Sequence, residues 1–226
     1  MPRWRTILAR PLAVQYDPIT RRGKRVKPDR PFTLVLSGGG LKGLAHIGVF
    51  RALEERGLSP SLVVGSSIGS LIGAAWSSGT PVRQMEARAL RVRRRDVFQV
   101  AHVDMAFRRM HAPALYRREP LEALIHSLVG DVTFRDLPCR LLVNTTDLLS
   151  GMQVMWGLPG LLDAKVADAV AASCALPGLF PPQTILGRAY VDGAVVENLP
   201  VRLAASLGAG PIIAVNVAAT SVRRAA

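Results

Sequence analysis

The chain has 226 residues, close to half of them apolar, few aromatics, two cysteines and a formal net charge of +13. That length suits one domain able to bury a core without staples, and the absence of Cys/His clusters at ligand spacing excludes a structural metal module. The positive excess is confined to residues 1–31 and 81–118, each with a surplus of seven charges, so the remainder is nearly neutral.

Residues 1–31 read as a basic extension punctuated by Pro2, Pro11, Pro18 and Pro28, with no apolar core of a signal peptide. Phe32 to Leu36 is a short buried strand. It runs into the glycine-rich Gly38-Gly39-Gly40-Leu41-Lys42-Gly43 and a helix from Lys42 to Arg56. That helix turns Leu44, Ile47 and Leu53 inward, with Leu58 beyond it, and Gly57 stops it. Leu62 to Val64 is a second strand, followed by Gly65-Ser66-Ser67-Ile68-Gly69 and a helix from Ser67 to Ser78. Strand, helix, strand, helix at this spacing is a βαβ unit of a parallel sheet.

Pro81 starts a third helix with Val82, Met85, Ala89 and Val92 as its apolar stripe and Arg88, Arg91 and Arg95 on an adjoining face. Ala101 to Pro113 has no clear period. A helix follows from Pro120 to Val129, ended by Gly130, then a strand from Leu141 to Thr145 and a hairpin arm from Gln153 to Trp156. A helix spans Asp163 to Ala175, stopped by Pro177, and places Asp163 and Asp168 at the surface. Thr184–Leu186 and Ala189–Val191 flank a Gly187-Arg188 turn, and a helix from Pro200 to Leu207 and a strand from Ile212 to Val217 close the pattern. Cys139 and Cys174 lie in apolar runs and read as buried thiols of a reducing compartment. The uncharged stretch Ile68 to Thr80 is too short to span a bilayer, so a cytoplasmic or peripheral membrane protein is expected.

Two motifs carry chemistry. Gly65 to Gly69 is G-x-S-x-G, the nucleophile elbow, which lifts the hydroxyl of Ser67 above a strand-to-helix turn. The repeat of Gly65, Gly69 and Gly73 also fits close packing of a helix on its sheet, and the two readings are compatible. The run Gly38 to Gly43 offers backbone N–H groups at a helix N-terminus, where negative charge is stabilised. It also satisfies G-x-G-x-x-G, but a dinucleotide site needs an acidic residue after the second strand, and Gly65-Ser66-Ser67 stands there. No P-loop pattern is present.

The serine needs a base. His46, His102, His111 and His126 all precede the third core strand, so the order Ser, acid, His of α/β-hydrolases cannot be completed. His46 reads as a packing residue. Among carboxylates, Asp192 follows an apolar strand and precedes Gly193, while Asp147 follows the Leu141–Thr145 strand and equally suits capping of a turn.

Gly38 to Gly43, Gly65 to Gly69 and Asp192-Gly193-Ala194, in this order and spacing, resemble the patatin-like phospholipases, specifically their bacterial members. Ala45 to Val49, Asn144 to Asp147 and Ala172 to Pro177 look alike too, and the resemblance covers residues 32–217. It implies a three-layer α/β/α sandwich with a mainly parallel central sheet, and a catalytic domain over 32–226. It implies a Ser–Asp dyad, with Ser67 as nucleophile and Asp192 as base, acting on acyl esters of glycerolipids. Gly38, Gly39, Gly40, Leu41, Lys42 and Gly43 would form the oxyanion site, chiefly through Gly39, Gly40 and Leu41, with Gly65, Gly69 and Gly193 shaping the elbow and base motifs. Ser37 stands where an aspartate is often found, and Lys42 replaces the usual arginine, keeping the charge but losing the bidentate fork. The chain stops soon after Val217, earlier than expected for the family, so a further C-terminal part is expected.

No cofactor or metal is called for. The basic segments 1–31 and 81–118 suit peripheral contact with an anionic membrane or an ordinary solvated surface. They lack interleaved aromatics, so no nucleic-acid partner is expected. A transacylase and a non-catalytic lipid- or protein-binding module on the same fold are the alternatives.

Overall fold

In the computed structural model, which describes residues 31–100, 114–207 and 210–218, a seven-stranded sheet forms the middle layer. Its strands are β1 (Thr33–Leu36), β2 (Leu62–Ser66), β3 (Arg140–Asp147), β4 (Gln153–Trp156), β5 (Gln183–Ile185), β6 (Arg188–Asp192) and β7 (Ile212–Val215). The order is β5-β6-β3-β2-β1-β7, with β4 also paired to β3. β3, β2, β1 and β7 run parallel to one another, β4 and β6 pair antiparallel with β3, and β5 pairs antiparallel with β6. Residues 1–30 of the basic extension and Ala101 to Pro113 lie outside the described part.

The strands are short and apolar because both faces are covered. Side chains alternate across the pleat. Leu34, Leu36, Val63, Leu141 and Val143 point into one large core, and Val35, Leu62, Val64 and Leu142 into a smaller one. The large core is built with helices α1 (Ala45–Glu55), α2 (Ile68–Ser77), α3 (Val82–Ala89), α5 (Glu119–Val129) and α6 (Val166–Ser173), and short α4 (Arg94–Val97) adds Val97. Phe50 stacks on Trp76 within it, ring centres 4.9 Å apart. α7 (Val201–Ser206) covers the opposite face through Ala204, completing three layers.

Close approach of α2 to the sheet depends on missing side chains. A Cβ on Gly69 would stand 2.6 Å from the Leu36 and Ser37 carbonyl oxygens, and one on Gly73 2.8 Å from a Val63 methyl. The packing reading of that glycine repeat therefore holds together with the elbow reading.

Several boundaries differ from the sequence reading. The helix expected from Lys42 begins as a 3-10 turn, Gly40–Leu44, and becomes α-helical at Ala45. The helix expected from Asp163 begins at Val166, and Asp163 instead pairs with Arg135 at 2.9 Å. The β5–β6 turn is Leu186-Gly187 (φ 49° and 77°), one residue earlier than expected. Two successive positive φ values match the twist of a two-residue hairpin, and this choice moves Arg188 into β6. Cys139 and Cys174 are free thiols, half-buried rather than fully enclosed, and burial raises the proton affinity of both.

Candidate active site

Strand register brings Ser67 and Asp192 together. β2 pairs with β3 up to Ser66 opposite Asn144, and β6 pairs with β3 from Asp192 opposite Thr145. β4 occupies the other edge of β3 over the same residues, since Asn144 also faces Met155 and Thr145 also faces Val154. β2 and β6 therefore share one edge of β3 and converge head to head, because β2 is parallel and β6 antiparallel to it. Their C-terminal ends meet at the Asn144–Thr145 step, which puts residues 67 and 192 side by side although 125 positions separate them.

Ser67 adopts φ 53° and ψ −129° between β2 and α2. A non-glycine residue pays a conformational penalty there, and such strain persists only where surroundings over-determine it. They do here. The Ser67 amide donates to Ser173 Oγ at 2.8 Å, and the Ser173 hydroxyl donates to the Asn144 carbonyl at 2.6 Å. Ser70 Oγ donates to the Ser67 carbonyl at 2.6 Å. Gly65 makes the turn possible, since a Cβ there would meet the Ser70 backbone at 2.5 Å. Ser173 is wholly buried and was not singled out in the sequence as a site residue; only the three-dimensional contact of α6 with the elbow reveals its part.

Asp192 is 2% exposed, and burial pushes its carboxyl up to about 6. The Ala194 amide, donating to Oδ1 at 2.8 Å, and hydrogen bonding from the Ser67 side chain pull in the opposite direction but are outweighed. Its backbone is fixed from two sides, by its own amide donating to Ala175 O at 3.0 Å and by Thr146 Oγ1 donating to its carbonyl at 3.3 Å. Gly193 lies against Asn144, where any Cβ would collide.

The glycine run divides into different tasks. The Gly38 amide is already engaged with the Asn198 carbonyl at 3.3 Å, and a Cβ on Gly38 would sit 3.0 Å from that of Ser67. Gly43 packs beneath Ile68, and Lys42 is exposed. Gly40 and Leu41 line the same cavity as Ser67 and Asp192. The first amides of a helical turn have no partner within it, and Gly39 and Gly40 open this one. Val217 closes over Gly39, and its amide donates to Ser37 Oγ at 3.0 Å.

Histidine takes no part in this arrangement among the described residues. His46 is wholly buried, its Nε2 sits 2.9 Å from the Ser37 carbonyl, and burial lowers its proton affinity, so it packs as a neutral ring. His126 is exposed on α5. Asp147 caps a turn: its Oδ1 accepts from the Leu149 and Ser150 amides at 3.0 and 2.9 Å, and its Oδ2 from Arg188 at 2.7 Å. These partners hold its carboxyl far below the usual range, unsuited to accepting a proton.

Behind Ser67 lies a cavity of about 220 Å³. Its wall is apolar, from Ile68, Leu71 and Ile72 of α2, Met85 of α3, and Leu121 and Leu124 of α5. Asp192 and Arg88 are the charged exceptions among the described lining residues. A serine hydroxyl, a buried carboxyl and the first amides of a helical turn beside an apolar pocket are an arrangement suited to an ester carrying a hydrocarbon chain.

The sequence matches the patatin-like phospholipase family over residues 34–205. It is 33% identical over 184 residues to an uncharacterised NTE family protein of Mycobacterium tuberculosis, covering 81% of this chain and 48% of that protein. It is 31% identical over 196 residues to lysophospholipase NTE1 of Yarrowia lipolytica, covering 85% of this chain and 13% of that protein. The chain thus spans about half the length of the bacterial relative and far less of the fungal one. Among solved structures, VipD from Legionella pneumophila shares the fold, with a TM-score of 0.55 and 16% identity over 76% of this chain and 47% of that chain.

Proposed function

Since the chain belongs to the patatin-like phospholipase family, we propose that it is a serine acyl hydrolase that cleaves carboxylic esters of lipids through a Ser67–Asp192 dyad. The observation that carries this reading is the position of a strained Ser67 and a buried Asp192 together at one end of an apolar cavity. The names of the family and of the Yarrowia relative support a phospholipase A or lysophospholipase type of substrate.

In this mechanism Ser67 Oγ attacks the ester carbonyl carbon and Asp192 accepts the hydroxyl proton. The carbonyl oxygen becomes an oxyanion, received by amides of the Gly39–Leu41 turn. Collapse expels the alcohol, which takes the proton back from Asp192, and leaves an acyl-enzyme. Water then attacks with Asp192 again as base, releasing the acid and restoring Ser67. A carboxylate of ordinary proton affinity is a weak base at neutral pH, and desolvation brings Asp192 nearer the working range. One oxyanion donor typically contributes about 100- to 1000-fold in rate.

A fluorophosphonate probe tests the nucleophile directly. Labelling of the wild-type chain, lost in Ser67→Ala together with hydrolysis of a lysophospholipid, is the expected result. An unlabelled, inactive wild-type chain would instead favour a non-catalytic lipid-binding module. Peripheral membrane contact belongs to the same reading: Arg91, Arg93, Arg95 and Arg117 are exposed beside the cavity-forming helices. Among the described residues no helix is long and apolar enough to cross a bilayer. Sedimentation with anionic vesicles that weakens at high salt is expected.

A further inference from the structure

The cavity behind Ser67 has a definite depth, and a specific contact stands at its far end. α2 begins just after Ser67 and lines the cavity with Ile68, Leu71, Ile72 and Ala75. Ala75 is eight positions beyond Ser67, about 12 Å along a helix that rises 1.5 Å per residue. α5 runs alongside in the same direction. Tyr116, just before α5, donates its amide to the Leu179 carbonyl at 2.8 Å, a few residues past the Ala175 carbonyl that holds Asp192. Leu128, in the last turn of α5, accepts from Thr80 Oγ1 at 3.0 Å, just past the end of α2. Leu128 and Ala75 therefore mark the end away from the nucleophile.

At that end stands Arg88, the one basic residue among the described lining residues. Its guanidinium donates to the Ser127 carbonyl at 2.6 Å and to Ser127 Oγ at 3.2 Å, next to Leu128. Arg88 is half-buried and Ser127 exposed, so the aliphatic stem of Arg88 faces the cavity while its charged head is held at the surface. Fastened to Ser127, it joins α3 to α5 at that end of the cavity. A hydrocarbon chain gains nothing from passing this group, since beyond it lie a hydrated charge and solvent rather than apolar wall.

We infer that the Arg88–Ser127 bridge is the end wall of an acyl-chain ruler, which makes medium-chain acyl groups the preferred substrates. An extended hydrocarbon advances about 1.25 Å per carbon, from bonds near 1.5 Å at tetrahedral angles. The depth from Ser67 to Ala75 therefore holds about ten carbons. Up to that length each added methylene is buried and raises kcat/KM about fourfold. Beyond it the gain stops. This inference rests on the acyl hydrolase reading, and its test is arranged so that the two can fail separately.

Turnover of p-nitrophenyl esters from butyryl to palmitoyl, for the full chain and for Arg88→Ala and Ala75→Leu, reads the ruler. Wild type is expected to peak near decanoyl. Arg88→Ala is expected to raise the ratio of tetradecanoyl to decanoyl turnover by about fourfold or more, while Ala75→Leu moves the peak shorter by about two carbons. In parallel, saturated fatty acids of the same lengths displace a fluorescent fatty acid from the Ser67→Ala protein, with a break in affinity expected at the same length. Wild-type turnover that climbs without a break to palmitoyl overturns the ruler and leaves the hydrolase reading intact. A break in binding with no turnover of any ester does the reverse. If Arg88→Ala fails to fold, Ala75→Leu and the binding series still decide.

Discussion

Replacing Asp192 by asparagine should abolish turnover and at the same time make the protein more stable at neutral pH. The carboxyl is 2% exposed, and its pKa rises from 3.8 to about 6 because burial penalises the charged form. Below pH about 4 the group is protonated in both folded and unfolded chains and contributes nothing. Between about 4 and 6 the unfolded chain ionises first, so stability falls as pH rises. Above about 6 the cost is complete, and a rise of about two pKa units corresponds to about 3 kcal/mol. The asparagine side chain would be neutral throughout, and its oxygen can still accept from the Ala194 amide. Asp192→Asn is therefore expected to gain up to about 3 kcal/mol at pH 8 and almost nothing at pH 4. For a domain of this size that is roughly 6–12 °C in Tm. Urea unfolding of both proteins at the two pH values measures it. A variant no more stable than wild type at pH 8, or one whose gain persists unchanged at pH 4, would refute the burial argument for the base.

The same raised pKa sets the pH profile: kcat/KM should fall about tenfold per pH unit below about 6, as the base takes up a proton, and level off above. Ser173→Ala removes the acceptor of the half-buried Ser67 amide, at about 1 kcal/mol for an orphaned donor. Fluorophosphonate labelling should slow about tenfold while circular dichroism is unchanged, and labelling at the wild-type rate would deny Ser173 a positioning part. Gly69→Ala drives a Cβ against two backbone oxygens at 2.6 Å and should destabilise the fold by about 3 kcal/mol or more, read as a drop in the urea midpoint.

The order of elements was legible in the sequence wherever apolar periodicity was unbroken, as in the strands near Val35, Val64 and Leu142 and in α2 and α5. Where local chemistry competed, boundaries shifted: glycines tightened the first turn after β1, and Lys165 in extended conformation delayed α6. In the sequence Asp147 stands second to Asp192 and equally suits capping of a turn, and the structure supplies the physical difference. Both end apolar strands, but one meets Arg188 and two amides while the other is stripped of water. Ser173 lies in the Ala172–Pro177 run that shares the resemblance, but its bond to Ser67, the depth of the cavity and the Arg88–Ser127 bridge left no local signal.

The sequence by itself determined the sharp turn at Gly65 to Gly69 and the glycine turn beside it, because these depend on backbone conformation and residue type within a few positions. The motif resemblance pointed to Asp192, and only the tertiary structure decided how that carboxyl comes to lie beside the serine and what proton affinity it has. Those depend on the shared edge of β3, where β2 and β6 meet head to head, and on burial by α6 and the loops around it. Register and desolvation are sums over distant parts of the chain, so no short stretch of residues can record them.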